Sequence, residues 1–334
     1  MAVRSMFGVP CSVFDVFRRQ AITLILFLAF VFMASAAETN TVLVFSFFRE
    51  PNGQAGLFLA ASTNGLNWTE LKAPNGKSFL EPQVGGKLMR DPCLRLGPDG
   101  VFHLVWTTSW ARPPVFGYAS SADLIHWSEE RAVPVMENDP TAENVWAPEL
   151  FYDAAKGQWL VFWATTVPGK FPATEDSGDQ SQGIRYNHRI YYVTTKDFTN
   201  FSPTKLLYDG GFNVIDATML ADGGKYYLIV KDETKNPVKK DLHLAVGDSA
   251  AGPFGPASPA ISTNWVEGPT AVKIGSEYYI YFDHYGNPKY YGAIKSTDMK
   301  AWQDISPGLA FPKGIRHGTI STVPERIVQQ IQNP

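Results

Sequence analysis

Four carboxylates stand at corresponding points of four phrases, three of them in apolar contexts: Asp91 in Met89-Arg90-Asp91-Pro92, Glu149 in Trp146-Ala147-Pro148-Glu149, Asp216 in Val214-Ile215-Asp216-Ala217 and Glu267 in Trp265-Val266-Glu267-Gly268-Pro269. Acidic side chains are rarely buried unless they are paired or used, so their recurrence in this setting asks for a cause. Any one of them is accounted for by a capped turn, or by an ion pair with an arginine such as Arg90 or Arg316. As a set they suit acetal hydrolysis. There a protonated carboxylic acid donates to the leaving oxygen of a glycosidic bond, and an ionised carboxylate activates water or attacks the sugar. A third carboxylate nearby raises the pKa of the acid by like-charge repulsion and keeps it protonated near neutrality. Asp91, Asp216 and Glu267 form the expected catalytic set, and Glu149 is a fourth acid that serves the substrate or only the fold.

Such side chains converge only if the fold gathers distant phrases, and the chain repeats itself in a way that does so. A short alternating strand, a polar turn and a closing aromatic occur five times, over 56–68, 116–127, 190–201, more loosely 242–254, and 290–302. A second phrase, in which a tight turn joins a strand to an aromatic-rich strand, runs from Pro92 to Trp106 and returns over 148–163, 217–230 and 269–282. Both are hairpin patterns. Two hairpins per unit, in five units spaced by roughly 50 to 70 residues, predict an all-β fold, a five-bladed β-propeller with four-stranded antiparallel blades. A β-sandwich gives no reason for the same phrases to recur in order. The first unit has only Val42 to Phe47 of the second phrase, and the strand-like Thr319 to Val323 is expected to supply what is missing. Innermost strands of a propeller begin around its axis, which is where the four acids fall. The stretch 168–187, rich in Gly, Ser, Asp and Gln, is expected to be a long insertion bordering the site.

Composition agrees with many short strands. Hydrophobic residues make up 45% and charged residues 18% of the 334, with 28 Gly and 24 Pro, a balance that suits turns better than long helices or disorder. Arg4, Arg18 and Arg19 precede an apolar run from Ala21 to Met33 and the small residues Ala34-Ser35-Ala36-Ala37. This is a signal-peptide pattern over 1–37, with 38–334 left as the propeller domain. The run is shorter than the roughly 20 apolar residues of a spanning helix, so no stable membrane anchor is expected after cleavage, and the mature protein is expected to be secreted or periplasmic. Cleavage removes three arginines and Asp15 and leaves 26 basic against 31 acidic side chains, which argues against nucleic acid as a partner. Cys11 leaves with the signal, and Cys93 stands alone as a small buried hydrophobe with no disulfide partner.

The ordered phrases Arg90-Asp91-Pro92, Trp146-Ala147-Pro148-Glu149, Ile215-Asp216-Ala217, Glu267-Gly268-Pro269-Thr270 and Arg316-His317-Gly318-Thr319 resemble glycoside hydrolase family 43. That family comprises five-bladed propeller enzymes including α-L-arabinofuranosidases, β-xylosidases and endo-arabinanases, and the likeness covers essentially the whole mature chain. It implies an inverting mechanism with Asp91 as general base, Glu267 as general acid and Asp216 tuning and orienting that acid. The two outer carboxyls are then expected to lie about 6.5 to 9.5 Å apart, with the attacking water between them. It implies a carbohydrate partner, with arabinofuranosyl, xylosyl or galactofuranosyl groups released from plant-type polysaccharides or oligosaccharides. No cofactor is required for the chemistry. His317 matches a histidine that in many members points along the channel toward a structural calcium ion or a water; calcium prefers oxygen ligands, so a hydrogen-bonded core histidine is the other reading.

Around the acids, Trp110, Trp146 and Trp265 are positioned to offer apolar faces to a sugar, and Arg90 and Arg316 to donate to its hydroxyls or to balance the acids. His284 is expected at the rim. Asp91 is preceded by a strand and a hairpin phrase, whereas many family members carry the base near the mature N-terminus, and this form resembles the branch acting on arabinofuranosyl or galactofuranosyl side chains. Other readings are a non-catalytic carbohydrate-binding propeller, a retaining β-fructosidase-like enzyme, and a sialidase suggested by the turn from Ser62 to Trp68.

Overall fold

A computed structural model describes residue 1 and residues 40–181 and 183–333. The predicted signal peptide, over 1–37, lies outside the described residues apart from Met1. The fold below is that of Thr41–Pro334.

Five antiparallel sheets account for the strands of the repeats. Blade 2 comprises, from the inside outward, Arg90–Leu96, Phe102–Thr107, Val115–Ser121 and Arg131–Pro134. Blade 3 comprises Trp146–Asp153, Gln158–Thr166, His188–Thr195 and Lys205–Tyr208. Blade 5 comprises Val266–Ile274, Glu277–His284, Tyr290–Ser296 and Gln303–Asp304. Blade 1 is assembled from both ends of the unit. Gly318–Pro324 is its innermost strand and pairs along the whole of Thr41–Phe47, from Phe47 opposite Gly318 to Thr41 opposite Pro324. The expected missing strand is therefore supplied from the C-terminal side. Each innermost strand touches that of the next blade, and the last, Val266–Ile274, meets Gly318–Pro324, so the ring closes.

Blade 4 keeps the four-part plan with three regular strands, Val214–Asp222, Lys225–Asp232 and Asp241–Gly247. In the fourth place an irregular segment follows the edge, with the amides of Gly255, Ser258 and Ile261 donating to the carbonyls of Val246, Leu244 and Leu242. Pro253, Pro256 and Pro259 recur through that segment, and a residue without an N–H cannot sustain a ladder.

The second strands explain the aromatic-rich phrase. In Gln158–Thr166 the odd residues Trp159, Val161 and Trp163 pack toward blade 2, and the even residues Leu160, Phe162 and Ala164 pack toward blade 4. With period-2 alternation and both faces covered, every position is apolar or fully bonded. The polar turn of the other phrase is a local hydrogen-bond device. Ser62, Ser121, Thr195 and Ser296 each accept the amide three residues on, and Asn64, Asp123, Asp197 and Asp298 each accept two backbone amides through Oδ1. These bonds secure Leu124, Phe198 and Met299 at positive φ, where Gly65 stands in the first copy. The acids of these turns are thus engaged in the fold, away from any sugar chemistry.

The insertion over 168–187 carries a short hairpin, Gln180–Ser181 with Ile184–Arg185, between the second and third strands of blade 3. The helix Glu325–Gln332 covers the core between blades 1 and 2 with Ile327, Val328 and Ile331. Among the described residues no helix is long and apolar enough to cross a membrane.

Candidate active site

The start of each innermost strand in blades 2 to 5 is bulged, with register shifts between Arg90 and Cys93, Trp146 and Glu149, Ile215 and Thr218, and Glu267 and Thr270. The residue after each first member has positive φ: Asp91 at 52°, Ala147 at 45°, Asp216 at 49° and Gly268 at 58°. Bulges re-aim side chains, and here the four stand at one end of the ring. Gly268 is required, because a Cβ there would lie 2.3 Å from Cγ of His317. Asp91 and Asp216 are structural equivalents, whereas Glu267 precedes its bulge residue by one.

A cavity of about 500 Å³ opens over these positions. Asp91, Asp216, Glu267, Arg90, Trp146, Arg316 and His317, all expected at the site, line it together with Trp110. Three expected residues do not. Glu149 comes two positions after its bulge residue and is directed into the channel. Its Oε1 accepts from the Thr319 hydroxyl at 3.0 Å, and its Oε2 from the Cys93 thiol at 3.0 Å, with Arg95 Nη2 at 3.5 Å. It is an element of the fold, engaged before any substrate arrives. Trp265 is 43% exposed outside the cavity, with its ring edge-on to Tyr285. His284 turns its Nδ1 to the carbonyl of Pro288 at 2.9 Å and stacks on Tyr290, also outside the cavity.

The carboxylates sit in unequal surroundings. Asp91 Oδ2 accepts from the Thr107 hydroxyl at 2.7 Å, and Oδ1 lies 3.2 Å from His317 Nδ1. Thr107 also accepts the amide of Ala147, so one hydroxyl ties blades 2 and 3 together beneath the acid. Burial alone would raise the pKa of Asp91, but His317, Arg90 and Thr107 outweigh it and hold the carboxyl down at about 2. Asp216 Oδ2 accepts the Gly268 amide at 3.1 Å and stands 4.0 Å from His317. For this group burial prevails, with repulsion from Glu267 and Asp91, and the pKa rises to about 6. Glu267 is buried too, yet both its oxygens meet cations, Oε1 with Arg316 Nη2 at 3.0 Å and Oε2 with Lys231 Nζ at 3.4 Å. Against the burial that raises its pKa, Lys231 and Arg316 draw it below the ordinary value.

His317 is pushed up to about 9, because Asp91 and Asp216 overcome the burial that would lower it. His317 Nδ1 thus faces carboxylate oxygens of Asp91 and Asp216. Arg316 gathers three carboxylates, Asp283 through Nε, Glu50 through Nη1 at 2.7 Å and Glu267. Arg90 lies over the rings of Phe48 and Trp110 at 4.5 and 4.3 Å, which fixes its guanidinium at the cavity wall.

Several lining or supporting residues had no forerunner in the sequence reading: Glu50, Thr107, Asp179, Tyr186, His188, Lys231 and Glu233. Asp179 and Tyr186 belong to the insertion, which reaches the cavity as expected. Trp146 packs between Trp110, Tyr186 and His188 at 5.7, 4.7 and 4.8 Å, and its Nε1 donates to the carbonyl of Trp110. This makes a fixed aromatic wall that adjoins Arg90 through Trp110.

Residues 38–327 match the model of a family described as a probable glycosyl hydrolase domain, related to glycosyl hydrolase family 43. An α-L-arabinofuranosidase of Bifidobacterium longum subsp. longum is 23% identical over 264 residues, which are 70% of this chain and 25% of that protein. The chain thus spans about a quarter of the length of the curated relative it matches. Among solved structures, an α-L-arabinofuranosidase from Lactobacillus brevis superposes with a TM-score of 0.51 at 14% identity, over 65% of this chain and 72% of that one. A thermostable family-43 glycoside hydrolase gives 0.50 at 17% identity, over 68% and 74%. At these identities the likeness is one of fold.

Proposed function

The chain belongs to the glycosyl hydrolase 43-related family, and on that premise we propose that it hydrolyses glycosidic bonds with inversion at the anomeric carbon. Asp91 is the general base, Glu267 the general acid, and Asp216 the residue that tunes and orients the acid. The observation that carries this reading is the gathering of Asp91, Asp216 and Glu267 on one cavity, with Asp91 ionised from about pH 2 upward as a base requires. Asp216, protonated up to about pH 6, is the proton store of the site, since Lys231 and Arg316 draw Glu267 itself below the ordinary value in the empty cavity.

In this mechanism the Asp91 carboxylate, steadied by Thr107 and His317, takes a proton from a water that attacks the anomeric carbon. Glu267 takes up a proton when the substrate is bound, and the bond from that carbon to the leaving oxygen breaks as Glu267 delivers that proton to the oxygen. Asp216 keeps a proton close to Glu267 and limits the negative charge in the cavity. Trp146 offers the apolar face against which a sugar ring packs, and Arg90 stands at the wall as a donor to its hydroxyls.

The group released is an arabinofuranosyl residue, with xylosyl and galactofuranosyl groups as the alternatives, and the similarity to an α-L-arabinofuranosidase supports that order. The segment 1–37 directs export, and a mature chain beginning near residue 38 is the expected product of N-terminal sequencing. To test the reaction, the mature protein is presented with nitrophenyl arabinofuranoside, xyloside, galactofuranoside and galactoside, and the first-formed anomer is followed by NMR. Inversion with the arabinofuranoside supports the reading. Retention overturns the mechanism, and binding without turnover on all four overturns catalysis.

A further inference from the structure

Lys231 is one of the largest fully buried side chains of the protein, 1% exposed, and the catalytic scheme above gives it no task. Its backbone explains its place. In Lys225–Asp232 it pairs with Ile215, the residue before the Asp216 bulge, so the strand that flanks the bulge carries the lysine to two carboxylates that line the cavity. Its ammonium lies 2.7 Å from Glu233 Oε2 and 3.4 Å from Glu267 Oε2, and 4.7 Å from the centre of the Tyr285 ring. Glu233 lines the cavity and is anchored independently. Its amide donates to the Asn213 carbonyl at 2.7 Å, and its carboxylate also holds Lys240, which reaches Asp179 of the insertion at 2.7 Å. One buried cation thus lies between two carboxylates and nearer to the one outside the proposed chemistry. A lysine of similar volume to methionine is a costly choice for packing alone, since its charge must be desolvated.

We propose that Lys231 is a positioning residue for Glu267, shared with Glu233, so that the pull of Glu233 sets how firmly the ammonium grips the carboxylate that must take up and release the proton. The proposal rests on reading Glu267 as the general acid. With Lys231 wholly on Glu267 and Arg316 on its other oxygen, the acid would be clamped ionised. With Lys231 absent, the carboxylate would lose the contact that aims its second oxygen. Glu233 keeps the lysine between these limits. The other charges facing Glu267 are Arg90, His317, Asp216 and Asp283, and Asp216 and Tyr285 also face Lys231.

The test compares the pH profiles of kcat/KM for Lys231→Met, Lys231→Arg and Glu233→Gln on the aryl glycoside that the parent enzyme hydrolyses. The basic limb reports the acid in the free enzyme. Lys231→Met is expected to move that limb upward by about one pH unit or more, as loss of a cation at this distance should. Glu233→Gln, which leaves the lysine to Glu267, is expected to move it downward, and Lys231→Arg to leave it in place, with KM within about twofold of the parent throughout. A purely structural lysine would move stability and leave the limbs together, and coincident profiles overturn the proposal. Should Lys231→Met not fold, the downward shift in Glu233→Gln decides alone. Glu267→Gln separates this inference from the reading beneath it. Unchanged turnover in that variant refutes the acid assignment, whereas lost turnover with coincident profiles in the other three refutes only the role of Lys231.

Discussion

Asp91 and Asp216 share a backbone device and differ in everything around it. Each follows the residue at which an innermost strand shifts register, with φ of 52° and 49°, and each lines the same cavity. Yet one carboxyl is held at about 2 and the other at about 6. The bulge is given by the fold, once in each of blades 2 to 5; Ala147 and Gly268 occupy it in blades 3 and 5 with no chemistry of their own. Protonation is decided by neighbours brought from other strands, His317 and Thr107 on one side and Glu267 on the other. The repeat delivers side chains to a point, and long-range contacts differentiate them.

The largest effect should come from the base. Asp91→Asn keeps the shape and the Thr107 hydrogen bond but cannot accept a proton, and kcat is expected to fall by roughly 10²–10⁴ while circular dichroism stays unchanged. Asp216→Asn should cost less in rate and separate from it in stability. The folded pKa of about 6 lies above the ordinary 3.8, so Asp216 favours the fold below pH 3.8, and that contribution is lost as pH rises through 6. Its ionised form is therefore a burden at pH 8, and the Asn variant is expected to be more stable there by up to roughly 3 kcal/mol, with the gain gone below pH 4. For Asp91 the sign reverses. Its folded pKa of about 2 gives stability above pH 3.8 that is lost as pH falls through 2, so Asp91→Asn is expected to lose about 2 kcal/mol at neutral pH. Denaturant titrations of the parent and the two variants at pH 2, pH 4 and pH 8 check both signs, and parallel curves would abolish the contrast.

His317 maintains the inequality, and His317→Gln is the way to break it. Without the imidazolium the Asp91 carboxyl should return toward the ordinary range, moving the acid limb of kcat/KM upward. A stability signature accompanies it. His317 has a folded pKa of about 9 against an ordinary 6.5, so its contribution is complete below pH 6.5 and disappears as pH rises through 9. The parent should lose stability over that window and the Gln variant should not, as melting curves between pH 6 and pH 9.5 will show.

Much of this architecture was legible in the residues. Alternating strands with recurrent Asn or Asp turns announced the blades, and Thr319 to Val323 was identifiable as the strand that closes blade 1, because both are local patterns repeated in order. Less legible was the irregular outer edge of blade 4, where three prolines interrupt the regular ladder. Glu149 shows a subtler limit. It follows a Pro in a phrase much like that of Asp91, but it stands two residues beyond the bulge position, and which residue of such a phrase takes the positive φ depends on pairing with the next strand. Lys231, Glu233 and Thr107 belong to the ends of second strands and the loops after them, where no repeated phrase draws the eye. Their importance arises from partners 36 and 16 residues away in the cases of Lys231 with Glu267 and Thr107 with Asp91.

The smallest effect is expected where sequence and structure differ on the site itself. Trp265 was expected to pack on the sugar, but its ring lies outside the cavity, supported by Tyr285 and 43% exposed. Trp146, by contrast, lines the cavity and is fixed by three aromatic neighbours. On a small aryl glycoside, which occupies the cavity and little else, Trp146→Ala should raise KM by roughly tenfold, in keeping with loss of about 1–2 kcal/mol of packing on an aromatic face. Trp265→Ala should change kcat and KM by less than about twofold, since surface substitutions away from special features have small effects. A large KM effect at Trp265 with none at Trp146 would place the sugar on the outer rim, and the carboxylate pair would then have to be reached from that side.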